Sequence, residues 1–202
     1  MSVEVENIEL SDYREVLAAM RARHALVAAG DAAGVVWLVE HDPVYTAGRA
    51  TPPRDLRDEI VPIERGGQIT WHGPGQLTIY PIMKLPRRDV RDWLRRIERF
   101  GVDIAAALGL HAEPSVDGTG VFVAGRKFAS IGVAVKRWTN LHGIGVNVAV
   151  DGSPWQAVRP CGLSPEIMTD LRAATGRDIT MAEVADAARD AVSALTAGRD
   201  PV

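Results

Sequence analysis

The order of apolar and polar residues along the chain predicts alternating helices and strands. Apolar residues recur at helical spacing over 12–29, with Ser11 as N-cap and Gly30 as the stop, and again over 89–107. Further helix starts are predicted after Ser164-Pro165 and in the capping-box pattern Thr180-Met181-Ala182-Glu183. Runs rich in β-branched residues predict strands over 35–40, 60–63, 76–85, 121–124, 128–137 and 141–150. The pattern predicts a single α/β (α+β) domain over 1–202, with a central sheet and packed helices.

Composition and charge exclude several classes of protein. The 202 residues are 47% hydrophobic and 24% charged, which excludes an intrinsically disordered chain. The net charge of −3 is too small for a global field that attracts nucleic acid or a membrane surface. Residues 1–7 are acidic where a signal peptide is basic, and no apolar run is long enough to span a bilayer. We therefore expect a cytoplasmic protein with neither nucleic acid nor membrane as partner.

The segment 65–76 combines four glycines and a proline with polar side chains, among them Arg65, Thr70 and His72. Glycine is costly in a strand unless the backbone bends sharply or another group approaches it closely. This combination favours a wall that lines a substrate site, and the alternative is a hairpin with a polar turn. Neither phosphate-binding glycine pattern is present, so nucleotide binding has little support.

The single cysteine, Cys161, stands between Pro160 and Gly162, just before a predicted helix start. Unpaired amide N–H groups and the helix dipole stabilise a thiolate at such a place, so a nucleophile would be well placed there. The alternative is an inert buried thiol, because free cysteine often behaves as a small hydrophobe. One cysteine also excludes an internal disulfide and every zinc site built on paired cysteines.

Lys127 opens an otherwise apolar strand and therefore faces either solvent or a cavity. If its ammonium met Cys161, it would favour the thiolate and could exchange protons during group transfer. None of His41, His72 and His142 has metal-ligand spacing, so no metal site is expected. The segment 142–147 again mixes glycine with polar residues, which is typical either of a second wall or of a core strand with a bulge.

Several of these segments, in order, resemble the motifs of the lipoyl(octanoyl) transferase family of lipoate biosynthesis. They are 40–49, 65–76 with its Arg-Gly-Gly and His-Gly-Pro-Gly-Gln motifs, 125–132, 142–147 and Pro160-Cys161-Gly162-Leu163. The resemblance spans most of the chain. Two positions depart from the family pattern: Gly145 stands where alanine is usual, and Trp71 where tyrosine is usual.

The resemblance implies the fold of the biotin and lipoate protein ligases and a ping-pong acyl transfer without a cofactor. Cys161 would take an octanoyl group from octanoyl-acyl carrier protein, and Lys127 would favour its thiolate and relay protons. The acceptors would be lysines on the lipoyl domains of 2-oxoacid dehydrogenases and on the glycine cleavage system H protein. The substrate-binding residues would be Arg65, Gly66, Gly67, Gln68, Ile69, Thr70, Trp71, His72, Ser130, Ile131, Gly132, Gly143, Ile144 and Gly145.

Three alternatives remain at this point. An ATP-dependent lipoate ligase of the same fold would not need Cys161. An amidotransferase between two lipoyl proteins would use the same cysteine and differ only in its donor. A non-catalytic protein would bind an acyl chain, or use Cys161 to sense oxidants, without turnover.

Overall fold

The computed structural model describes residues 3–9, 11–56, 58–116, 120–151, 154 and 167–196. The strands in this part of the chain are β1 (Glu4–Asn7), β2 (Val35–Val39), β3 (Val44–Ala47), β4 (Ile60–Pro62), β5 (Ile69–His72), β6 (Gln76–Ile82), β7 (Ala112–Pro114), β8 (Gly120–Val123), β9 (Arg126–Lys136) and β10 (Thr139–Asn147). The helices are α1 (Tyr13–Ala29), α2 (Val90–Ala107), α3 (Leu171–Thr175), α4 (Met181–Ala191) and α5 (Ser193–Thr196), with a 3-10 turn at Pro53–Asp55.

The strands form two sheets. The larger sheet has seven strands in the order β1-β2-β6-β10-β9-β8-β7, with β1 and β2 parallel and the remaining pairs antiparallel. The smaller sheet has the order β4-β3-β5, with β3 parallel to β4 and antiparallel to β5. The predicted α/β fold with a central sheet is confirmed.

The two faces of the large sheet carry different helices because side chains alternate along each strand. On β6, Leu77 and Ile79 pack into the cluster that contains Trp93 and Ile97 of α2. Tyr80, on the other face, packs into the cluster that contains α1. Helix α2 therefore packs on one face of the large sheet and α1 on the other. The polar residues described below lie on the α1 face, near the small sheet.

Most predicted helix signals are confirmed. α1 stops at Gly30, which has a φ of 95°, and α4 begins with the predicted capping box between Thr180 and Glu183. The predicted N-cap of α1 is wrong by one residue: the Asp12 carboxylate accepts from two backbone N–H groups, while the Ser11 hydroxyl donates to Asp42. The helix start predicted after Ser164-Pro165 lies outside the described residues.

The six predicted strands are present with shifted ends, and four short strands, β1, β3, β5 and β7, were not predicted. The strand predicted over 121–124 ends at Val123 because Ala124 and Gly125 both adopt positive φ, 49° and 74°, in the turn to β9. The hairpin alternative for 65–76 is wrong, since β5 pairs with β3 of the small sheet whereas β6 lies in the large sheet.

We expect Gly75→Ala to destabilise the protein more than Gly109→Ala does. Both glycines have positive φ, 83° and 81°, so each alanine carries a backbone cost of about 1–2 kcal/mol. A Cβ at Gly75 would also lie against the Ala149 carbonyl, whereas a Cβ at Gly109 would meet nothing within 4 Å. The steric conflict adds about 1–3 kcal/mol. Urea unfolding of the two variants checks this, and equal losses would contradict it.

Candidate active site

A cleft with about 450 Å³ of space, including open solvent at its mouth, lies on the α1 side of the large sheet. Its floor is formed where β9 and β10 pair, with Gly132 opposite Gly143 and Ser130 opposite Gly145. This floor carries almost no side-chain bulk. The remaining lining residues are Tyr13, Arg65, Thr70, His72, Gln76, Thr78, Tyr80, Ile131, His142 and Ile144. Small residues on these two strands bring the backbone of the floor close to any group that binds between the polar walls.

The structure brings together nine of the residues predicted to bind substrate. They are Arg65, Thr70, His72, Ser130, Ile131, Gly132, Gly143, Ile144 and Gly145. The other five do not line the cleft. Because side chains alternate along β5, Ile69 and Trp71 turn instead toward two small apolar clusters, with Ala47 and with Met168 respectively. Gly66, Gly67 and Gln68 form the turn before β5.

Three strand glycines have a polar side chain in the space that a Cβ would occupy. A Cβ at Gly132 would lie 2.7 Å from Cδ of Arg65, and one at Gly145 would lie 3.0 Å from Oε1 of Gln76. A Cβ at Gly120 would collide with Cε of Lys127. These glycines therefore set where the three polar side chains lie, which accounts for their unfavourable presence in strands.

Arg65 holds the cleft wall to the small sheet. Its guanidinium is buried and donates to the Gly66 carbonyl at 2.9 Å, to the Thr46 carbonyl at 2.9 Å and to the Thr46 hydroxyl at 2.9 Å. A buried charge of this kind raises the cost of further positive charge nearby.

Three imidazoles lie at or behind the cleft, and burial keeps each of them neutral. Burial, with His41 and Arg65 nearby, lowers the pKa of His72 to about 3. Burial also lowers the pKa values of His41 and His142. His41 Nδ1 donates to the Ser11 carbonyl at 3.0 Å, so its Nε2 accepts from the Tyr80 hydroxyl at 2.7 Å. The wall thus offers hydrogen-bonding groups without added charge.

Glu64 is the acidic neighbour of this wall. His142, with Nε2 at 3.6 Å, and the Arg21 guanidinium, at 2.7 Å, hold the pKa of Glu64 well below its usual range. The distance to His142 is too long for a hydrogen bond, so Arg21 is the partner that fixes the carboxylate.

Lys127 is only 1% exposed, so the solvent-facing alternative is wrong. It pairs with Met168 in a parallel bridge, and its carbonyl accepts from Thr169 N at 2.9 Å. Arg126 reinforces this attachment by donating to the Met168 carbonyl at 2.8 Å. Residues 168–169, which follow the Cys161 segment, are therefore fixed to the strand that carries Lys127. Cys161 itself lies outside the described residues, and its contact with Lys127 stays a prediction.

Five lining residues are not among the predicted substrate-binding residues: Tyr13, Gln76, Thr78, Tyr80 and His142. The period of two along β6 places Gln76, Thr78 and Tyr80 on one face, which is a signal that the sequence contains. His142 stands beside Gly143 in a segment already identified as a candidate wall. Tyr13 carries no such signal, because it enters the cleft from the first turn of α1 through tertiary packing.

Neither a membrane-spanning helix nor a metal cluster is found where the structure is described. No helix within these ranges is long and apolar enough to cross a bilayer. Over the same residues, no group of three or more His, Cys, Asp or Glu side chains is arranged to hold a metal ion.

The two-sheet architecture with its cleft defines the class of α/β domain found in lipoate and biotin protein ligases. A lipoate-protein ligase A structure bound with ATP superposes with a TM-score of 0.82 at 19% identity, covering 96% of this chain and 85% of that one. A biotin protein ligase from Aquifex aeolicus in complex with biotin and ATP gives a TM-score of 0.58 at 14% identity, covering 94% of this chain and 68% of that one.

Sequence comparison is more specific than the fold. Residues 12–193 match the lipoyl protein ligase A/B catalytic domain family. An octanoyltransferase from Geobacter sulfurreducens is 41% identical over 201 residues, covering 97% of this chain and 84% of that protein. One from Mycolicibacterium smegmatis is 40% identical over 211 residues, covering 99% and 92%. The chain belongs to the octanoyltransferase family within the lipoyl protein ligase A/B catalytic domains, which confirms the resemblance inferred from its motifs.

Proposed function

We propose that this protein transfers an octanoyl group from octanoyl-acyl carrier protein to a lysine of a lipoyl-domain protein, through a thioester on Cys161. The observation that carries the proposal is the burial of Lys127 at the place where the chain following Cys161 is fixed to β9. A fully buried lysine needs a specific role or partner. The octanoyltransferase relatives, about 40% identical to this chain, supply the acyl group and the reaction class.

In the first half-reaction the Cys161 thiolate attacks the carbonyl carbon of the donor thioester. The bond from that carbon to the carrier sulfur breaks, and the carrier thiolate takes a proton from the Lys127 ammonium. The acyl group is then held on Cys161, and Lys127 is left as a neutral amine. One thioester replaces another, so the step needs neither ATP nor a cofactor.

In the second half-reaction the acceptor lysine attacks the same carbon as a neutral amine. The bond to the Cys161 sulfur breaks and an amide forms. The amine's surplus proton passes to the neutral Lys127, which restores the ammonium and thiolate pair. The acceptors we propose are the lipoyl domains of 2-oxoacid dehydrogenases and the H protein of the glycine cleavage system.

Intact mass spectrometry after incubation with octanoyl-acyl carrier protein tests the proposal. Wild type should gain one octanoyl group and lose it on addition of a lipoyl-domain protein, whereas Cys161→Ser should gain none. Octanoylation of the lipoyl domain by Cys161→Ser, dependent on ATP, would identify a ligase instead. Wild type that is loaded by an octanoylated lipoyl protein but not by the carrier would identify an amidotransferase. Noncovalent octanoate binding alone would leave an acyl-binding protein.

A further inference from the structure

Two buried amide side chains, Gln76 and Asn147, connect the cleft wall to the strand that carries Lys127. They are register partners on β6 and β10 and are 2% and 1% exposed. Gln76 Nε2 donates to Asn147 Oδ1 at 3.0 Å, and Asn147 Nδ2 donates to the Thr169 carbonyl at 3.0 Å. Thr169 N donates in turn to the Lys127 carbonyl at 2.9 Å. An unbroken series of contacts therefore runs from Gln76 to Lys127.

Backbone carbonyls fix the orientation of both amides. The Trp71 carbonyl, 3.3 Å from Gln76 Nε2, and the Thr169 carbonyl can only accept, so an amide nitrogen must face each of them. Gln76 Oε1 therefore faces Nδ1 of His72, at 2.7 Å. Because an amide oxygen only accepts, the proton of the neutral imidazole is on Nδ1. The lone pair of His72 is consequently on Nε2.

His72 presents that lone pair within the cleft. The ring lies in the cleft wall and stacks on Tyr13, with centroids 5.7 Å apart and planes at 7°. Among the residues that the structure describes, none hydrogen-bonds to Nε2. A fixed, neutral acceptor in a substrate cleft is complementary to an N–H donor on the substrate.

We infer that Gln76 and Asn147 are positioning residues that hold His72 Nε2 as the acceptor for an N–H of the incoming lysine amine. The inference rests on the proposed function. An octanoyl thioester has only carbonyl oxygen and sulfur near the reacting carbon, and neither group donates a hydrogen bond. The acceptor amine is the reactant that brings N–H groups to that carbon, so it is the partner that the Nε2 lone pair suits.

His72 orients the amine and takes no proton from it. Burial lowers the pKa of His72 to about 3, so the imidazole stays neutral, and in the proposed function the surplus proton passes to Lys127. The network that fixes the acceptor atom on His72 also fixes the Lys127 backbone through Thr169. The pairing of β9 with β8 also holds Lys127, so loss of the amide network should affect orientation of the amine more than the position of Lys127.

Separate measurement of the two half-reactions tests the inference. Gln76→Met removes the acceptor for His72 Nδ1 and the donor to Asn147, and Asn147→Asp removes the donor to Thr169. Each variant should slow discharge to a lipoyl domain about 10–100-fold more than it slows formation of the octanoyl-enzyme. Asn140→Asp is the matched control, since Asn140 is buried in β10 and donates to the carbonyls of Pro81 and His142. It should lower the melting temperature and keep the wild-type ratio of the two rates.

The imidazole tautomer of His72 provides a second readout that does not depend on turnover. Nitrogen-15 NMR should show His72 protonated on Nδ1 between pH 6 and 8, and Gln76→Met should lose this tautomer preference. A proton on Nε2 in wild type, or equal slowing of both half-reactions in the variants, would overturn the inference. If the variants slowed formation of the octanoyl-enzyme and left discharge unchanged, the group that donates to His72 Nε2 would belong to the acyl carrier protein and not to the acceptor lysine. That result would also overturn the inference. Wild type that never forms the octanoyl-enzyme would instead contradict the proposed function.

Discussion

Replacement of Lys127 by methionine is expected to slow octanoyl-enzyme formation by about 10²–10⁴-fold at pH 7. Lys127 is fully buried, and its Cε occupies the space that Gly120 leaves free, so the loss removes an ammonium that solvent cannot replace. Methionine keeps the length of the side chain, and apolar replacement of a buried charge is often neutral or stabilising. The fold should therefore persist.

The pH profile distinguishes loss of the ammonium from loss of the fold. A free thiol ionises near pH 8.5, so the gap between Lys127→Met and wild type should narrow as the pH rises from 7 to 9. Mass-resolved rates of acylation across this range check the expectation. Lys136→Met, at the exposed end of the same strand, is the control and should acylate at the wild-type rate. Wild-type acylation by Lys127→Met at pH 7 would contradict the role given to Lys127.

The second large effect concerns stability in acid. His72 ionises with a pKa of about 3 in the folded protein and with its ordinary value of about 6.5 when unfolded. Above pH 6.5 both states are neutral and the stabilisation is complete. As the pH falls from 6.5 toward 3, the unfolded state binds a proton that the folded state does not, so about 1.4 kcal/mol is lost per pH unit.

His72→Asn isolates this contribution. The asparagine amide can occupy the position of Nδ1 and donate to Gln76 Oε1, but it does not titrate. Urea unfolding between pH 6.5 and 4.5 should give a slope shallower than that of wild type by about 1.4 kcal/mol per pH unit. The exposed His111, replaced in the same way, is the control and should leave the slope unchanged. Identical slopes for His72→Asn and wild type would show that burial of His72 does not govern acid stability.

The sequence predicted those parts of the fold that local chemistry determines. The α1 stop at Gly30 and the capping box at Thr180 depend on neighbouring residues alone, and both signals were readable. β5 was not predicted for two reasons. Its partner, β3, lies earlier in the chain, and four residues are too few for an alternating pattern to be recognised. Tertiary packing, and not the local sequence, places β5 and β6 in different sheets.

In the candidate site, too, local sequence predicted some features and tertiary packing determined the others. Its motifs predicted the glycine-rich floor, the Arg65 wall and Lys127 as parts of a site, because unusual residue combinations are visible in the sequence. Thr70 faces the cleft and Trp71 faces an apolar cluster, and this difference could be predicted only if 69–72 were known to be a strand. The Gln76–Asn147 contact joins two strands that are distant in sequence, and only their register brings the amides within 3.0 Å.

The pairing of Gly132 with Gly143 exposes backbone atoms in the floor of the cleft. Neither glycine carries a Cβ, and the aliphatic part of the Arg65 side chain lies beside Gly132. A linear hydrocarbon in the cleft would pack against these backbone atoms and the stem of Arg65. In the octanoyl-enzyme that we propose, the bound octanoyl chain would thus add to the apolar packing of the protein for as long as it is attached.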